Sequence, residues 1–131
     1  MIQRVQSIYL LVAAIISLAS YLIFPKLDIF FINMSLMDYI IIPYLFFCFF
    51  MSTLNIFLFI NRKLQLNINK FQLLIHLFVL IVFFYFLYQE KMLYSDLIWT
   101  LTPILSIVFL SLANNGIKKD ENLIRSVDRL R

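Results

Sequence analysis

One glycine, one cysteine and one histidine in 131 residues remove most chemistry at the outset. A phosphate-cradling loop, a dinucleotide fingerprint and a G-x-x-x-G packing face each need at least two glycines. Gly116 stands alone. Cys48 has no second cysteine to pair with, so a disulfide framework and a cysteine metal site both fall away. His76 cannot supply the two axial ligands of a bis-histidine haem. With one distant cysteine it also falls short of the three or four ligands of a zinc site. No cofactor is expected. Charge is scarce as well: Asp, Glu, Lys and Arg make up 14% of the chain, against ~25% in soluble domains.

That scarcity is uneven. No charged residue falls within Ile8–Phe24, Tyr39–Ile60, Phe71–Tyr88 or Leu97–Ala113. Each run approaches the ~20 apolar residues a helix needs to cross the hydrocarbon core. The hydrophobic share is 63%, where ~45–50% is usual for soluble domains. A soluble chain of this length could not bury four such runs. The sequence therefore predicts an all-α, integral membrane four-helix bundle as one domain over residues 1–114, with spans near 8–24, 39–60, 71–88 and 97–113. A cytoplasmic amphipathic tail follows at 115–131. The connecting segments Pro25–Asp38, Asn61–Lys70 and Gln89–Asp96 are too short to fold alone.

With four crossings, the N-terminus, the middle segment and the tail share one face. Nine of the eleven basic residues lie there: Arg4, Arg62, Lys63, Lys70, Lys118, Lys119, Arg125, Arg129 and Arg131. Only Lys26 and Lys91 lie on the other. By the positive-inside rule both termini are cytoplasmic. The net charge of +4 then reports contact with anionic lipid heads. Nucleic acid is not expected, because Asp120, Glu121 and Asp128 interrupt the basic tail. Arg4 and Ser17-Leu18-Ala19 could pass for parts of a signal peptide, but the apolar run continues to Phe24 and makes a better retained span.

Local chemistry refines this outline. Pro25 ends the first helix. Ile29-Phe30-Phe31-Ile32 is too apolar for a solvated loop and suits an interfacial turn. Asp38 and Asp96 complement the positive ends of the second and fourth helices, and Pro43 and Pro103 lie shortly inside them. Tyr39, Tyr88, Tyr94 and Trp99 read as an aromatic belt at the outer boundary. Asn114-Asn115-Gly116 reads as a helix C-cap. Beyond it, Ile117, Leu123, Ile124, Val127 and Leu130 recur at amphipathic spacing, and Glu121 and Arg125 are spaced to pair.

Both ends carry a resemblance. Met1-Ile2-Gln3-Arg4-Val5-Gln6-Ser7-Ile8-Tyr9-Leu10-Leu11, the segment Asn61-Arg62-Lys63-Leu64-Gln65, and Ala113 through Glu121 with Arg125 through Arg131 resemble a family of small membrane proteins from Gram-negative bacteria. That family is catalogued as a domain of unknown function, with four spans and similar length. The resemblance implies a bacterial inner-membrane location. It carries over no activity, cofactor or catalytic residue.

Among intramembrane polar groups, Asn55 and His76 fall at similar depth in the cytoplasmic third of the second and third helices, with Gln72 one turn before His76. An Asn55–His76 hydrogen bond is the structural expectation. A proton-relay or ligand position is the functional alternative. The serines Ser17, Ser20, Ser52, Ser106 and Ser111 have no buried carboxylate to orient a base, which points away from an enzyme. Lys118, Lys119, Arg125, Arg129 and Arg131 form the second candidate site, facing either anionic lipid or a docked subunit. The expected function is a non-enzymatic accessory or scaffold subunit of a larger inner-membrane complex, with membrane lipids and a membrane-protein partner or a homo-oligomer around it. The alternative is a small oligomeric transporter or channel.

Overall fold

A bilayer core offers no water to backbone N–H and C=O groups, so a chain crossing it satisfies them within helices. The computed structural model describes residues 2–23, 34–89 and 94–128. Its elements are α1 (Ile2–Ile23), α2 (Met34–Phe57), α3 (Arg62–Tyr88) and α4 (Leu101–Asp128), with 3-10 turns at Leu58–Ile60 and Tyr94–Thr100. All four helices contain a stretch long and apolar enough to span a membrane. At 27 residues, α3 is about 40 Å long, the full depth of a bilayer with its headgroups.

The helices alternate in direction and pack as a ring, α1 against α2, α2 against α3, α3 against α4 and α4 back against α1. One end, the terminal end, holds the start of α1, the finish of α4 and the α2–α3 turn. There Leu10, Ala13, Leu110 and Ala113 form a buried apolar cluster, flanked by Tyr9, Ile56, Leu73 and Phe109. At the opposite end Ile41, Leu45, Phe83 and Trp99 form another.

Helix α1 meets α4 through small side chains. Ala13, Ala14, Ser17, Ser20, Ser106 and Ala113 are all buried, and small residues let membrane helices approach closely. The hydroxyls of Ser17 and Ser20 bond back to the carbonyls of Ala13 and Ile16 at 3.2 and 2.7 Å. Thr102 Oγ1 donates to Ser20 Oγ at 2.7 Å, tying the two helices. Near the terminal end, a Cβ on Gly116 would fall 2.9 Å from Gln6 Cγ. Glycine is there to let α1 in.

That contact corrects the expected C-cap. Helix α4 runs unbroken through Asn114-Asn115-Gly116 to Asp128, because Gly116 meets a packing demand rather than a terminating one. Helix α3 likewise starts at Arg62, where a loop to Lys70 was expected. A tight turn suffices: Asn61 N–H donates to the Leu58 carbonyl and Gln65 N–H to the Asn61 carbonyl, each at 3.0 Å. The segment then earns its helix by burying Gln65, Leu66 and Asn69.

Helix α2 begins at Met34, so Pro43 sits in its interior with an exposed ring. Pro103 is the third residue of α4, where a missing N–H leaves no bond unmade. Trp99 is buried, 6% exposed, in the apolar cluster opposite the termini, not on a lipid-facing belt. Tyr88, by contrast, is 89% exposed at the end of α3. The Ile29–Ile32 segment, and the side chains of Asp38, Tyr39, Tyr94 and Asp96, lie outside the described residues.

Candidate functional site

Polarity in this bundle is turned inside out. Phe46, Phe57, Leu22 and Phe78 stand on the surface, each at least 66% exposed, whereas Ser52, Asn55, Asn69 and His76 are fully buried. An apolar exterior of this extent is foreign to soluble monomers and suits lipid.

The buried polar groups concentrate between α2 and α3. On α3, Gln65, Asn69, Gln72 and His76 follow one another at spacings of four, three and four residues, which keeps them on one helical face. All four are buried. They meet α2 in antiparallel register. Nearest the turn, Gln65 Nε2 donates to the Asn55 carbonyl at 3.1 Å and Asn55 Nδ2 donates to the Gln65 carbonyl at 3.2 Å. Asn55 Nδ2 also donates to Asn69 Oδ1. Further in, Gln72 Nε2 donates to the Cys48 carbonyl at 3.1 Å and to Ser52 Oγ at 2.8 Å. Deepest, Tyr44 Oη and His76 Nδ1 are hydrogen-bonded at 2.6 Å, with the rings edge to face. Of the neighbouring helices, α2 and α3 make the fewest close backbone approaches; long amide side chains bridge the gap.

The structure thus gathers Asn55 and His76 into one row but bonds each to another residue. The reason is register. Because α3 starts at Arg62, His76 is its fifteenth of 27 residues, at mid-helix rather than in the cytoplasmic third. It lies eleven residues beyond Gln65, Asn55's partner, about 16 Å along the axis. Sequence reasoning missed Tyr44, Gln65 and Asn69. The 4-3-4 recurrence of amides ending in His76 was the available signal, and it was hidden by reading Asn61–Lys70 as a loop.

The basic candidate site is described in part. Lys118 and Lys119 are exposed on α4. Next to them, Asp120 Oδ2 lies 3.4 Å from Arg62 Nη2, an ion pair joining α4 to the start of α3. The side chain of Arg125, its expected pairing with Glu121, and Arg129 and Arg131 lie outside the described residues. The amphipathic stripe divides: Ile117 is buried in the bundle, while Leu123 and Ile124 are exposed. Among the described residues no three His, Cys, Asp or Glu side chains come together as metal ligands.

A ring of four apolar helices around a row of hydrogen-bonded amides defines a small multi-pass membrane protein. The family described as Domain of unknown function (DUF4293) matches residues 2–130, and the chain belongs to it. No curated protein and no solved structure matches the chain.

Proposed function

We propose that this chain is a non-enzymatic accessory or scaffold subunit of a larger inner-membrane complex. The observation that carries the proposal is the placement of what remains unoccupied. Interior polar side chains between α2 and α3 bond within the bundle, to backbone carbonyls and to one another, whereas the outside offers partner-sized features. An apolar cleft of 320 Å³ opens between α1 and α2, lined by Ser17, Leu18, Tyr21, Ile42, Phe46 and Phe49. At the terminal end, α4 continues beyond its Asp120 anchor with Leu123 and Ile124 exposed. An exposed apolar pair beside Lys118 and Lys119 suits a helix-in-groove contact with another subunit. Anionic lipid heads would meet the same lysines.

The terminal end carries Arg62, Lys63, Lys70, Lys118 and Lys119, and the positive-inside rule assigns that end to the cytoplasm. Alkaline phosphatase fused after Arg131 should be inactive in cells; an active fusion would reverse the orientation. Tagged purification from the native host in mild detergent, with mass spectrometry of the eluate, tests the subunit assignment. Stoichiometric co-elution with other membrane proteins is expected.

A second proposal, a small oligomeric transporter or channel, is favoured by one observation: ionisable His76 is buried at mid-helix on a polar row. Elution as a lone homo-oligomer, with solute flux in liposomes that Asn55→Leu or His76→Leu abolishes, would support it over the first.

A further inference from the structure

The outer face of α3, opposite its buried amides, carries a second stripe. Lys63, Asn67, Lys70, Leu74, Leu77 and Ile81 recur at spacings of four, three, four, three and four residues, which is one helical face. All six are exposed. The stripe changes character along its length. It is polar and basic as far as Lys70 and apolar from Leu74 onward, with Phe78 exposed beside it.

The depth of Lys70 follows from how α3 packs on α2. Its neighbour Asn69 bonds to Asn55, so Phe57, Phe59 and Ile60 lie nearer the α2–α3 turn than Lys70 does. Phe57 and Ile60 are 75% and 83% exposed. Apolar side chains this open draw the turn into the bilayer. Lys70 then lies deeper still, eight residues after Arg62, the first residue of α3, or about 12 Å along the axis. The polar zone of one leaflet is only about 5–8 Å deep. An ammonium group below it is unfavourable without an anion. Among the described acidic side chains none is placed to serve: Asp120 pairs with Arg62 at the helix start, and Glu121 follows it, further out on α4.

Helical side chains lean toward the N-terminus of their helix, which for α3 is toward the turn, and a lysine stem extends along apolar surface to bring its charge to the headgroups. Lys70 therefore reaches back toward Asn67 and Lys63. Phosphate is the anion that the bilayer itself supplies at that level, and the chains attached to it run inward along the apolar half of the stripe.

We propose that the outer face of α3 binds an anionic phospholipid. Lys70 and Lys63 hold its phosphate, the Asn67 amide donates between them, and its acyl chains lie on Leu74, Leu77, Phe78 and Ile81. The site is separate from Lys118 and Lys119 on α4, and it holds whether the chain serves as a subunit or as a transporter.

Native mass spectrometry of the full chain in mild detergent, supplied with equal amounts of phosphatidylglycerol and phosphatidylethanolamine, tests this. The parent chain is expected to retain phosphatidylglycerol several-fold over phosphatidylethanolamine. Lys70→Gln should lose that preference, whereas Lys70→Arg and the double variant Lys118→Gln, Lys119→Gln should keep it. No preference in the parent, an unchanged preference in Lys70→Gln, or an equal loss in the α4 variant would each overturn the proposal. A benzophenone amino acid at Asn67 in native membranes separates lipid from protein. A phospholipid adduct is expected; an adduct with another protein would give the two lysines to a partner's carboxylates and overturn the lipid site.

Discussion

Gln72 bridges α3 to two successive turns of α2. Its amide donates to both the Cys48 carbonyl and Ser52 Oγ, so one residue fixes two points of α2. Interhelical hydrogen bonds in membranes are worth ~0.6 kcal/mol each, up to ~1.7. Gln72→Leu should therefore lower bundle stability by about 1–2 kcal/mol, measured as detergent-denaturation free energy in micelles; an unchanged midpoint would show the bonds to be idle. Gly116 makes a different demand. The gap left by its missing Cβ is occupied by Gln6 Cγ at 2.9 Å, so Gly116→Leu forces α1 away from α4. Overpacking of this kind typically costs about 1–3 kcal/mol, and the same unfolding assay reads it. Restored stability in a Gln6→Ala, Gly116→Leu double variant would place the conflict at that contact.

At the scale of elements, α4 is two things joined at Asp120. Before that residue Leu110, Ala113 and Ile117 are buried in the bundle; after it Asn122, Leu123, Ile124 and Ser126 are exposed. The Arg62–Asp120 pair marks the junction, with side chains 20% and 12% exposed. A double-mutant cycle with Arg62→Gln and Asp120→Asn should give a coupling of about 0.5–1 kcal/mol that weakens as salt is added. No coupling would show the pair to be incidental. Deleting residues after Glu121 should leave bundle stability within about 0.5 kcal/mol yet remove co-purifying subunits, since the deleted turns support no described core. Retention of those subunits would move the contact elsewhere, with the α1–α2 cleft the next surface to test.

The elements also explain what the sequence could and could not disclose. Four apolar, uncharged runs announce four spans because hydropathy alone decides membrane insertion. Hydropathy is silent on the interior. Arg62–Lys70 looks like a loop because its polar residues are counted by composition, although Gln65 and Asn69 face inward. Asn114-Asn115-Gly116 has the composition of a helix stop, and only the approach of Gln6 reveals why the helix continues. Trp99 has the chemistry of an interfacial anchor, but its place in the 3-10 turn and the packing of Ile41, Leu45 and Phe83 claim it for the buried cluster opposite the termini. Asn55 and His76 were visible as intramembrane polar residues. Their partners depended on the register of α2 against α3, set by a turn only a few residues long.

As a whole, the molecule is a bundle whose interior holds its helices in register and whose exterior meets its surroundings. Its surface is apolar around the ring, and Lys63, Lys118 and Lys119 stand exposed at the terminal end. The proposed subunit role rests on that exterior. The most direct test is photo-crosslinking in native membranes from a benzophenone amino acid placed at Leu123 and, separately, at Phe46, both exposed. A discrete adduct with one other membrane protein at either position is expected. Adducts only with lipid and with further copies of the same chain would contradict a subunit role and leave the oligomeric transporter in its place.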